Sequence, residues 1–174
     1  MLKYIFLIGL LMFSTPALAL EEQAVYSTET YTIEDITSQI KNYTKTPDGG
    51  VAWEVFSETK ESPYKITRDG EEWEGVKPEF TDTIKQFNGE TVKMSGYMFP
   101  LDQTDEQSQF LFGPFPLSCP YHYHAPNSLT IEVHTDKPIK FTYDPITITG
   151  TLELVPEDYD YNTFYRLNDA SIVK

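Results

Sequence analysis

Beyond Glu90, apolar residues fall at alternate positions in one short run after another. A period of two puts them on one face of an extended chain. Residues 91–99 alternate and then turn apolar, with Gly96 inside the run. Residues 109–112 form a second run, closed by Gly113-Pro114, and residues 128–134 set Leu129, Ile131 and Val133 on one face. Residues 145–154 alternate throughout around Gly150, and the run 164–167 continues to Ile172-Val173. These make five strands, the number in an OB-type barrel, and Gly96 and Gly150 stand where a small barrel has to bend sharply. The expected fold is therefore mostly β: a small five-stranded OB-like Greek-key barrel with an N-terminal extension that contains a short helix. A five- to seven-stranded sandwich using residues 53–56 as a further strand is the alternative.

Upstream of the barrel the signals change. Residues 1–19 read MLKYIFLIGLLMFSTPALA, in which Lys3 supplies a positive start and residues 4–13 an apolar stretch. Ser14-Thr15-Pro16 breaks that stretch, and Ala17-Leu18-Ala19 has the small-x-small spacing that signal peptidase accepts. The stretch is shorter than the ~20 residues that span a bilayer. Export with cleavage after Ala19 is expected, giving a periplasmic or secreted protein with no membrane span in the mature chain. Residues 20–50 read as the extension and residues 51–174 as the β-barrel domain. Thr32 is placed to cap a helix over 33–43, with Ile33, Ile36 and Ile40 on one face. Residues 45–50 are a turn cluster and residues 51–56 a strand-like run. Residues 57–75 read as a charged loop with turns at Arg68-Asp69-Gly70 and Glu74-Gly75. Trp53, Trp73 and Phe80 are expected to pack onto the C-terminal body.

Composition narrows the function. The 174 residues suit one domain, and 40% hydrophobic with 14% aromatic residues supplies a core rather than disorder. With 13 Lys+Arg against 27 Asp+Glu, the formal charge of −14 excludes the basic footprint that nucleic acid needs. A single Cys excludes an intramolecular disulfide and any four-Cys metal site. In an oxidising compartment such a lone thiol has to be buried, metal-bound, reactive or paired with another chain.

That thiol lies in the one segment able to carry chemistry. Residues 113–126, GPFPLSCPYHYHAP, hold Cys119, His122 and His124 among four prolines. Cys-x-x-His is a chelating spacing, and two imidazoles two residues apart point to the same side of an extended backbone. Three N/S donors suit zinc first and copper second. Each proline fixes φ and lowers the entropy lost when the donors are ordered. His134, on the strand face opposite Leu129, Ile131 and Val133, is the candidate fourth ligand, with water or a carboxylate as alternatives. The plainer alternative is packing: a lone Cys commonly serves as a small buried hydrophobe. A thiol-dependent enzyme is a further alternative, but no second Cys resolves a redox pair and no Asn or Asp is evident to orient a Cys–His pair. Met94 and Met98 read as core. The segment 158–169 imitates an EF-hand loop but has Thr163 and Asp169 where Gly and Glu are needed.

The run Ser95-Gly96-Tyr97-Met98-Phe99-Pro100-Leu101, then Phe110-Leu111-Phe112-Gly113-Pro114, then Cys119-Pro120-x-His122, resembles an uncharacterised family of bacterial exported proteins. The segment 148–152 also fits, and the resemblance covers about residues 50–172. It implies a periplasmic OB-like domain, with the family's Cys on Cys119 and its His on His122 or His124. It also implies genes lying beside metal-responsive transport components, and it brings no established activity.

The functional expectation is a non-enzymatic periplasmic metal-binding accessory or chaperone protein, with a transporter or envelope protein as partner. A metal-free interaction module that presents Tyr121 and Tyr123 is the alternative.

Overall fold

The computed structural model describes residues 31–68, 70–119, 125–158 and 161–173. The expected signal peptide lies outside the described residues, as does the extension up to Thr30. Two α-helices open the described chain, α1 (Ile33–Gln39) and α2 (Trp53–Ser57). A hairpin of β1 (Lys60–Arg68) and β2 (Glu71–Glu79) follows, then the single-turn α3 (Asp82–Lys85). The barrel strands are β3 (Thr91–Pro100), β4 (Glu106–Gly113), β5 (Ile131–Lys140), β6 (Ile146–Leu154) and β7 (Tyr165–Ile172). No helix among the described residues is long and apolar enough to cross a membrane.

The five strands close in the order β3-β4-β5-β7-β6, with β6 returning to β3. All pairs are antiparallel except β5 with β7, so the chain makes the Greek-key crossing expected of an OB-like barrel. Closure depends on the long β3 serving two partners. Its first half, Thr91 to Gly96, pairs with β6, and its second half, Tyr97 to Pro100, pairs with β4. The strand changes partner at Gly96, where an added Cβ would lie 2.7 Å from the Gly113 carbonyl and 2.8 Å from the Phe112 ring. At Gly150 a Cβ would lie 2.8 Å from the Asn168 carbonyl, beside the irregular register between Thr149 and Thr151. Only glycine allows both close approaches.

Alternation sorts the rest. Val92, Met94 and Met98 of β3 face inward with Phe110, Phe112, Ile131, Val133, Ile148, Leu152, Tyr165 and Leu167, all buried. α1 begins as the sequence predicts: the Thr32 hydroxyl accepts from the Asp35 N–H, and the Asp35 carboxylate accepts from the Thr32 N–H. A 3-10 turn (Ile40–Asn42) completes the predicted helix.

Some local expectations are overturned. Residues 51–56 are not a strand: Trp53 to Ser57 form α2, because Trp53 and Phe56, three apart, both turn onto the barrel. Trp53 lies against Phe112, Phe56 packs edge-on against Tyr165, and the Tyr165 hydroxyl donates to Thr59 Oγ1 at 2.6 Å. These rings close one end of the barrel, where tertiary burial outweighs local propensity. Residues 57–75, expected as a loop, instead enter at Lys60 the β1–β2 hairpin, whose strands pair only with each other. Its connection is two residues long and ends on Gly70 at φ +84°. Phe80 packs on Tyr165 as expected, whereas Trp73 stands 54% exposed on the hairpin.

Candidate functional site

Cys119 is delivered by the continuation of β4. After Gly113 the chain buries Phe115, whose ring meets Tyr43 edge-on, and then turns so that the Cys119 N–H donates to the Pro116 carbonyl at 2.9 Å. The thiol is 4% exposed and belongs to the apolar core. Tyr97 of β3 lies close by and donates its hydroxyl to the Tyr43 carbonyl at 3.0 Å. Burial pushes the Tyr97 phenol above its ordinary value, and the charges of Cys119 and Asp144 push it further. The described chain resumes at Ala125 and enters a 3-10 turn (Asn127–Leu129), so Ser128 and Leu129, expected in the third strand, precede it, with Leu129 fully buried. The Asn127 N–H donates to Glu61 of β1 at 2.9 Å. The candidate loop is thus held at both ends, while His122 and His124 lie outside the described residues.

His134 sits elsewhere, in a polar cluster that sequence reasoning missed. Its Nε2 is 2.7 Å from Glu132 Oε1, which also accepts from Gln109 Nε2 at 2.6 Å. Arg166 grips the second oxygen with both Nε and a terminal nitrogen, at 3.0 and 2.9 Å. Glu153 follows on β6, 3.6 Å from Arg166 and accepting from Asn168 at 2.7 Å. Register explains the assembly: Glu132 pairs with Arg166, and Arg166 with Glu153, across β5, β7 and β6. Burial alone would lower the Arg166 guanidinium, but the Glu132 hydrogen bond and charge, helped by Glu153 and Asp158, leave it raised. Glu132 is buried although it belongs to the strand's polar face. The sequence signal for it was a single acid between Ile131 and Val133, which reads equally well as a solvated position.

Cys119 and His134 therefore occupy separate settings, one in the apolar core and one on a buried carboxylate. Among the described residues, no three His, Cys, Asp or Glu side chains gather where they could hold a metal ion. A buried thiol in apolar surroundings also lacks the accessible, electropositive setting of a nucleophile.

The family model described as "Protein of unknown function (DUF3299)" matches residues 27–174. The chain belongs to the DUF3299 family. This bears out the resemblance drawn from the pattern around Gly96, Phe110 and Cys119 to an uncharacterised family with a barrel fold. A crystal structure of another DUF3299 protein, from Pseudomonas aeruginosa PAO1, is 20% identical, covering 56% of this chain and 68% of that one with a TM-score of 0.41. No curated protein matches the chain.

Proposed function

We propose that this DUF3299 protein is an exported metal-binding accessory protein, acting as a chaperone or buffer beside a transport system, with zinc its first metal and copper its second. The observation that carries the reading is Cys119 itself. The turn from Pro116 holds its backbone at the rim of the core, directly before the two histidines of the Cys-x-x-His-x-His run. Binding would deprotonate the thiol and draw on neutral imidazoles, so His122 and His124 complete the first ligands with Cys119. Water or a carboxylate completes the set, because His134 is held on Glu132 in a setting apart from Cys119. The acidic surface raises the local concentration of cations. No step in this role needs a reacting thiol, in keeping with a protein that is not an enzyme.

The test is metal analysis of untagged protein purified from its native compartment. About one zinc per chain is expected in the wild type, with loss in both Cys119→Ser and His122→Ala. Because Cys119 is buried, His122→Ala is the decisive variant. Equally little zinc and copper in the wild type and in that variant would overturn the reading. A metal-free interaction module is the second reading, and the exposed Trp73 on the separate hairpin favours it. In that case Trp73→Ala or Tyr121→Ala loses partner capture while metal content stays at background.

A further inference from the structure

The segment from α1 to α2 runs along the part of β3 that β4 leaves unpaired, with the Val51 N–H donating to the Lys93 carbonyl at 2.9 Å, and a pocket of about 230 Å³ lies beside it. Ile40, Val51 and Trp53 give it apolar walls, while Lys41, Lys45 and Thr44 supply its polar lining. Trp53 is held as a wall because its indole N–H donates to the Ser95 carbonyl at 2.8 Å. The 3-10 turn sets the lysines: the Thr44 N–H returns to the Ile40 carbonyl at 2.9 Å, so Lys41 and Lys45 flank one turn.

Two independent features mark the pocket as a site. Thr44 is only 7% exposed, yet its Oγ1 has no hydrogen-bond partner. Buried hydroxyls are ordinarily satisfied, so an unpartnered one on a residue that lines a pocket calls for a partner that the protein itself does not supply. The chain also carries only 13 basic residues against 27 acidic ones, and two of the basic residues lie here. Neither lysine forms an ion pair among the described residues. Glu54 also lines the pocket, so its local balance is one net positive charge. That balance suits a monoanion rather than a phosphate dianion or a cation. A neighbouring recess of about 340 Å³ shares Thr44, Lys45 and Ser95 and adds Ile146 and Pro145. A head group held at Thr44 therefore has apolar room on both sides.

We propose that this pocket binds a small organic monocarboxylate, with its carboxylate on the Thr44 hydroxyl and the Lys41 and Lys45 ammonium groups and its hydrocarbon part on Ile40, Val51 and Trp53. This site is separate from Cys119 and its histidines and needs no metal. It gives the protein a second ligand of a different chemical class.

The experiment follows backbone amide resonances of the exported chain during titration with 3-methylbutanoate, its neutral amide 3-methylbutanamide, and 3-methylbutylamine. Saturable shifts at Thr44, Val51 and Ser95 are expected with the carboxylate alone. Thr44→Val, which keeps the shape and deletes the hydroxyl, should weaken binding about tenfold. The double variant Lys41→Gln/Lys45→Gln, altered only at exposed side chains, should abolish it. The proposal is overturned if the neutral amide binds as well as the carboxylate. It is equally overturned if the lysine variant binds like the wild type, or if no resonance at the pocket moves by about 50 mM carboxylate, the limit of weak specific binding. An uncharged filler or an ordered water at Thr44 would give one of those results.

Discussion

Glu132 shows how much can rest on one carboxylate. It is buried on the polar side of β5, and Arg166, His134 and Gln109 together account for both of its oxygens. A buried charge is tolerable only while its partners remain, so deleting one partner costs far more than the pair contributes. Arg166→Met should therefore lower stability to urea by about 3–5 kcal/mol, and Glu132→Leu/Arg166→Met should recover most of that loss. A single variant within about 0.5 kcal/mol of wild type, the range of ordinary surface changes, would contradict the burial of this carboxylate. Asp35 makes the opposite case, a fully exposed acid. The Thr32 backbone and hydroxyl hydrogen bonds hold its carboxyl below the ordinary value of 3.8. A lowered folded value means that the cap's contribution is fully present above 3.8 and is lost as pH falls through that lowered value. A carboxyl titration followed by NMR should place the Asp35 midpoint below 3.8, and Thr32→Val, which removes the hydroxyl but keeps the backbone donor, should raise it only part of the way back. An unshifted Asp35 in the wild type would remove the capping box from the account.

At the scale of elements, the barrel strands and the β1–β2 hairpin differ in support. Every barrel strand has a neighbour on each side, whereas β1 and β2 have only one another. Val76 and Phe80 root the hairpin on the core, but Trp73 and the charged residues around it face solvent. Two paired strands without a third are marginal in water. Hydrogen exchange should thus find the amides of Ile66 and Trp73 opening at much lower free energy than those of Met94, Val133 or Leu167. Equal protection would mean that the hairpin opens only with the barrel. The hairpin was hidden in the sequence because a two-sided ribbon needs no apolar alternation. Pro63 and Pro78 also read as breakers, though strands that are all edge tolerate them. α2 was hidden for the reverse reason. Its apolar run looks like a strand, and only the barrel end that receives Trp53 and Phe56 makes a single helical turn the better arrangement.

For the whole molecule, the sequence by itself determined five strands, two glycine bends, the capped first helix and the acidic, single-cysteine character. Each depends on neighbours along the chain: a period of two, a missing Cβ, or a hydroxyl three residues from an acid. The family pattern was equally legible, since its residues cluster around Gly96, Phe110 and Cys119. What the tertiary structure alone decided was which strands meet. The parallel pairing of β5 with β7 and the return of β6 to β3 bring Glu132 to Arg166 and Arg166 to Glu153, residues far apart in the chain. The same closure seats Cys119 in the core beside Tyr97, keeps His134 on Glu132, and lets the α1–α2 segment run along β3 so that the Thr44 hydroxyl is buried beside a pocket. Local pattern sets which face of a strand is apolar, but barrel closure sets what each face meets, because hydrogen-bond register between distant strands leaves no periodic trace in the sequence.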